Sequence, residues 1–126
     1  IIPRGHPRWL DDVGRAAWWI GEAAVVALGT PHSLVHRGPM VRSAWSSLVC
    51  FAGLGPGEVT VEGQKLLGIS QRRTRDGARF QCLVHRRWDP RLLVSLLAPP
   101  RPDVAELDDL VAVGDLRLDA LLAALG

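Results

Sequence analysis

Lys65 is the single lysine in a chain of 126 residues that carries 15 lysine and arginine side chains in all. An arginine bias on this scale reflects genome composition. Against it, a lone lysine raises a chemical question: what does this position need from an amine that a guanidinium does not supply? Arginine is a planar fork, whereas lysine ends in a compact point charge. An ammonium beside an uncovered backbone can neutralise a phosphate or a developing oxyanion, as an acyl-adenylate or acyl thioester requires. Gly68, three residues on, lets a ligand or another backbone approach closely. Ser70 and Gln71 add polar groups near the same sheet face or edge. The alternative is an ordinary amphipathic hairpin whose lysine is solvated.

The other reactive side chains carry weaker signals. Cys50 and Cys82 are far apart and lack CxxC spacing, so neither a zinc site nor a disulfide framework is expected. Free cysteines are usually buried, and Leu48-Val49-Cys50-Phe51 reads as a core segment. His6, His32 and His36 form no ligand spacing, and His85, beside Arg86 and Arg87, is expected to be solvated. Gly53-Leu54-Gly55-Pro56-Gly57 lacks the Gly-Lys-Ser/Thr of a phosphate loop and opens no helix, so it reads as a flexible connection. Arg72-Arg73-Thr74-Arg75 is a basic turn, solvated or able to steer an acidic partner or a nucleotide phosphate.

The elements that position these residues follow from periodicity. Asp11 or Asp12 can cap a helix reaching Leu28, with Val13, Ala17, Ile20, Ala24 and Leu28 on one apolar stripe and Gly29 ending it. Ser33–His36 reads as a short strand, and Val49–Phe51 is strand-like. Arg42–Leu48 fits a short helix or a loop. Glu58–Glu62 alternates polar and apolar residues, Glu62-Gly63-Gln64 is a tight turn, and Lys65–Arg72 returns. Arg79–His85 adds a third strand, completing an antiparallel meander. Beyond Asp89-Pro90 the spacing of Leu92, Leu93, Leu96 and Leu97 is helical, and Pro99-Pro100-Arg101-Pro102 breaks it. Val104–Val111 and Leu116–Leu125 read as two further helices. The class is α+β, an antiparallel or mixed sheet with packed helices, in a single domain.

Composition bounds the rest. Hydrophobic residues at 48% support a packed core, and a net charge of +2 is weak evidence for nucleic acid. Ala16–Leu28 is interrupted by Gly21 and Glu22, so no membrane span is expected. Pro3, Arg4, His6 and Pro7 stand where a signal peptide needs apolar residues, which points to the cytoplasm.

The run from Glu58 to Arg73 resembles the signature of the lipoate–protein ligase and octanoyltransferase family. That signature is a strand, a Gly turn, a Lys, then Gly-x-Ala/Ser-Gln-Arg. Here these are Val59–Val61, Gly63, Lys65, Gly68, Ser70, Gln71 and Arg72. Val49-Cys50-Phe51-Ala52-Gly53 is similar to the Cys-Phe segment that precedes it in many members. The resemblance covers residues 1–98 and leaves 99–126 as a C-terminal helical tail. It implies the α+β fold shared with biotin protein ligases. It implies a catalytic Lys65 that contacts the carbonyl and phosphate of a lipoyl-adenylate or the acyl group of a thioester donor, with Gly68, Ser70, Gln71 and Arg72 binding substrate. In the thioester branch Cys50 would be the nucleophile, with Lys65 as the electropositive neighbour that a thiolate needs. The ligase branch implies ATP, lipoate and magnesium; the thioester branch implies no cofactor. The implied partner is a lipoyl acceptor domain or a glycine cleavage H protein.

The family's Arg-Arg-x-x-Gly-Gly-Gly segment, which cradles the adenylate and the lipoyl chain, does not occur in these residues. The expectation is therefore a partial domain beginning just after it, completed by a missing N-terminal half or by a second chain. The competing expectation is a non-catalytic accessory module that binds an acceptor domain.

Overall fold

A computed structural model describes all residues, 1–126. It is α+β: five antiparallel strands and four helices. The strands are β1 (Ile2–Pro3), β2 (Ser33–Val35), β3 (Val59–Val61), β4 (Gln64–Arg73) and β5 (Gly77–Leu83), in the spatial order β1-β5-β4-β3-β2. The helices are α1 (Trp18–Leu28), α2 (Pro90–Leu96), α3 (Val104–Leu107) and α4 (Leu118–Leu125). The long central strand β4 pairs with β3 through its first residues and with β5 through Gly68–Arg73.

The β3–β4 hairpin closes through Glu62-Gly63, both at positive φ (50° and 81°), the backbone that a two-residue hairpin turn demands. Thr60 faces Lys65, but Val59 faces Leu67, so Leu66 is an extra residue in β4. Such a bulge shifts side-chain parity. Leu66 and Leu67 consequently both join Ala24 and Val59 in the fully buried core cluster. Lys65 turns to the other face, with Gly68 and Ser70.

Helix α1 packs on β2, β3 and α4. It begins at Trp18, later than its periodicity implies, and Ala17 at its N-cap makes no side-chain cap. Asp12 instead caps a preceding turn, accepting from the Arg15 amide at 3.1 Å. Val13, expected on the apolar stripe, is exposed at 57%. The helix ends as expected at Gly29 in the left-handed conformation. A Cβ on Gly21 would lie 2.1 Å from the Gly57 carbonyl oxygen, and Gly57 has φ +85°. The Gly-rich loop is thus fitted closely against α1, where a flexible connection was expected.

Two further segments differ from their sequence patterns. Val49–Phe51 does not form a strand: Cys50–Ala52 is a single 3-10 turn, since no neighbouring strand offers it a ladder. The helix expected over Val104–Val111 stops at Leu107, and Val111 forms a parallel bridge with Lys65. Leu107 and Val111 are buried, and Ala112, Leu116 and Leu121 of the C-terminal segment pack against the core cluster. Asp89 caps α2 as its spacing predicts, accepting from the Arg91 amide. No helix is long and apolar enough to cross a membrane.

Candidate functional site

The two faces of β4 divide the residues singled out from sequence. Lys65, Gly68 and Ser70 line one cavity of about 670 Å³, and Cys50 lies on its wall. Gln71 is half-buried elsewhere, with its Nε2 lacking a partner. Alternation along the strand places it away from Ser70, so the two do not share a face. Arg72 lines a separate cleft of about 330 Å³ with Arg79, its cross-strand partner. Arg73 is tied to the Leu10 and Asp11 carbonyls and lies over the Trp9 ring, so it is not a solvated member of the basic turn.

Lys65 is buried, with 7% of its side chain exposed, and its ammonium is fully engaged. Nζ lies 2.7 Å from Glu58 Oε2 and donates to the carbonyls of Cys50 at 3.2 Å and Gly53 at 3.0 Å. An ammonium has three donors, and all three are used. The Phe51 ring adds a cation–π contact, centroid to Nζ 4.8 Å. The alternative of a solvated lysine therefore fails. The bulge aims the side chain under the Cys50–Gly53 turn, where bonds to the main chain replace water.

Glu58 is the residue that sequence reasoning missed. Its side chain is also 7% exposed. Oε2 accepts from the Gly55 amide at 2.7 Å as well as facing Lys65. Oε1 accepts from the Ile69 amide at 2.8 Å, just where the β3 ladder ends. The carboxylate thus holds the Gly-rich loop, β4 and the lysine together. The available signal was a glutamate heading the apolar strand Val59-Thr60-Val61, one hairpin from the only lysine.

The main chain of Lys65 is held as firmly. Its amide donates to Leu110 O at 2.9 Å, and its carbonyl accepts from the Ala112 amide at 3.0 Å. Residues 110–112 thereby extend the sheet where β5 leaves it, opposite Gly68.

The remaining cavity wall mixes apolar and polar groups. Phe51 closes over Gly68: a Cβ there would lie 2.9 Å from Phe51 Cε2 and 3.3 Å from Lys65 Cε. Ser70 stands opposite Gln81 in register, and both line the cavity. Met40, Ile69 and Leu83 supply apolar surface, while Arg42, Ser46 and Ser47 complete the lining. Trp45, beside them in sequence, donates from Nε1 to Glu106 at 3.0 Å and ties this segment to α3. That bond is the first cause of a lowered Glu106 pKa.

Cys50 and Cys82 are both free, both exposed and both on this cavity. Cys50 is thus not the core residue expected. The 3-10 turn leaves Val49 and Phe51 to fill the interior. Cys82 is exposed as a residue, yet neighbouring atoms desolvate its thiol and push its pKa up. His85 is half-buried between Phe51 (centroids 4.6 Å) and Trp88 (5.1 Å), where loss of water lowers its pKa. It is not the solvated residue expected. No group of three or more His, Cys, Asp and Glu residues is placed to hold a metal ion.

Chemically, the site offers a pocket of mixed apolar and polar lining with three serine hydroxyls, an amide, a guanidinium and two thiols beside a neutralised ammonium. No protein family, curated protein or solved structure matches this chain.

Proposed function

We propose that the cavity binds the acyl group of an activated donor, and that the chain is the acyl-binding part of a lipoate–protein ligase-like or octanoyltransferase-like enzyme. The observation that carries this reading is the convergence of Lys65, Gly68, Ser70 and Cys50 on one pocket. Gly68 and Phe51 shape its base, and the apolar side chains suit an acyl chain. Ser70 and Gln81 are placed to orient a polar head group. The acceptor is a lysine of a lipoyl domain or of a glycine cleavage H protein, whose amine attacks the acyl carbon and displaces AMP from the adenylate, or displaces the Cys50 thiol from the acyl-enzyme that forms when Cys50 expels the carrier thiol. Holding donor and acceptor together supplies the rate through orientation. Lys65 would neutralise charge on the donor once it exchanges one of its present partners. The ligase form uses lipoyl-adenylate, made from ATP and lipoate with magnesium; the thioester form uses Cys50 as nucleophile and no cofactor. A second chain carrying the Gly-rich segment would complete the pocket.

The test is transfer from chemically prepared lipoyl-adenylate, or from octanoyl-acyl carrier protein, to an apo acceptor domain, with Lys65→Ala as control. Transfer from the adenylate that vanishes in the variant supports the ligase form. Transfer only from the thioester, abolished by Cys50→Ser, supports the octanoyl form. Folded protein with neither transfer nor donor binding sinks the enzymatic reading.

One observation favours a second reading, a non-catalytic accessory module: every donor of Lys65 is already satisfied within the chain. In that case the chain associates stably with an acceptor domain or a partner subunit and transfers no acyl group.

A further inference from the structure

The charge inside the cavity is set by two side chains that point at each other. Lys65 contributes one positive charge and Glu58 one negative, at 2.7 Å and almost without solvent. Both line the pocket. The other formal charge on its lining is Arg42, which is exposed and makes no ion pair. The buried part of the lining therefore carries no net charge, although it contains the chain's only lysine, and the exposed Arg42 is the one cation of the lining left uncancelled.

We propose that Glu58 is the specificity-determining and positioning residue of this site: it holds Lys65 in place and cancels its charge, so the pocket admits neutral acyl groups and disfavours free carboxylates. The inference rests on the acyl-binding reading above. Its physical basis is the distance dependence of charge interactions away from water. A ligand carboxylate near Nζ gains attraction from Lys65 and suffers repulsion from Glu58 in nearly equal measure. The carbonyls of Cys50 and Gly53, which also face Nζ, add negative partial charge on the same side. A neutral ester, thioester or amide meets no such repulsion. A thioester donor, the substrate of the octanoyltransferase-like form, is uncharged around its reacting carbon, whereas the free acid is an anion. Glu58 would thus separate acyl thioesters from free acids, which favours the thioester form over a ligase form that has to bind free lipoate.

Octanoate and octanamide are the probes, matched in chain length and differing in charge. Their dissociation constants are measured by calorimetry on the wild type, Glu58→Gln and Lys65→Gln. The wild type is expected to bind octanamide more tightly than octanoate. Glu58→Gln should move the octanoate/octanamide preference at least tenfold towards octanoate, about 1.4 kcal/mol. Lys65→Gln, which leaves the carboxylate uncancelled, should move it at least as far the other way. Amide exchange at Gly55 and Ile69, the two backbone donors to Glu58, should accelerate in Glu58→Gln and is the positional readout. Either variant tests the charge argument without the other, so misfolding of one leaves the second decisive. An unchanged preference in a folded variant overturns the role of Glu58 while leaving acyl binding intact. Binding of neither probe to any form overturns the acyl-binding reading and this inference with it.

Discussion

The Lys65 ammonium and the Glu58 carboxylate lie 2.7 Å apart, seven residues apart in sequence, with Glu58 immediately before β3 and Lys65 in β4 of the same hairpin. The relationship answers the question raised by a lone lysine. Three acceptors converge on one nitrogen, and a planar guanidinium does not fit that arrangement.

Removing one partner leaves the other charge buried and uncompensated. Lys65→Met or Glu58→Leu is expected to cost about 3–5 kcal/mol. Glu58→Gln is not innocuous either, because its amide NH2 must face Gly55 N–H, Ile69 N–H or the ammonium, all of them donors. The double variant should cost less than the sum of the singles by about 0.5–3 kcal/mol, the range for coupled neighbours. Urea denaturation of the four proteins measures this. Additive costs would show that the two groups do not interact.

Gly68 has no room for a methyl group. Gly68→Ala brings Cβ within 2.9 Å of the Phe51 ring and 3.3 Å of Lys65 Cε. The ring must move, at about 1–3 kcal/mol, and it moves into the cavity or away from His85. Thermal denaturation should show the loss, and probe binding in the pocket should weaken in step. Phe51→Leu in the same background should recover part of both.

His85 makes stability depend on pH in a definable window. Its folded pKa lies below the ordinary 6.5, because the Phe51–Trp88 slot desolvates the ring. As pH falls, the unfolded chain takes the proton first, so stability rises with pH wherever the unfolded state holds more protons. Its contribution is therefore full above 6.5 and is lost as pH falls through the folded pKa. Between pH ~7.5 and ~5 the wild type should lose more stability than His85→Phe, which keeps an aromatic ring in the slot. Parallel pH profiles of the two proteins would contradict this.

The two cysteines should react with a thiol reagent in the native state, since both are exposed. The desolvation that raises the Cys82 pKa lowers its thiolate fraction near neutral pH. Cys82 is therefore expected to label with a rate that climbs steeply as pH rises above neutrality. Single Cys→Ser variants assign each rate. An occupant of the cavity should slow both. Protection of one alone would place the bound molecule away from the other wall.

The local marks of this fold were legible in the sequence. Gly29 stops α1 because a left-handed residue ends a helix cheaply only as glycine. Asp89-Pro90 starts α2, and Glu62-Gly63 turns the hairpin, since capping and turn geometry depend on a few adjacent residues. The antiparallel meander and the α+β class followed from those signals and from alternation. The motif around Lys65 also named Gly68 and Ser70, which do share its pocket.

Tertiary structure decided the rest, because the deciding contacts join distant residues. One extra residue, Leu66, flips the parity of β4 and sends Lys65 to the face of Gly68 and Ser70; periodicity alone assigns the opposite face. Burial of that amine needed the Cys50–Gly53 turn above it, Glu58 from just before β3, and residues 110–112 beside its main chain. Exposure of Cys50 depended on which of its neighbours the interior accepted, and Val49 and Phe51 took those places. Residue order alone puts an amine at position 65; its charge is cancelled there only because packing brings Glu58 and the Cys50 and Gly53 carbonyls to it.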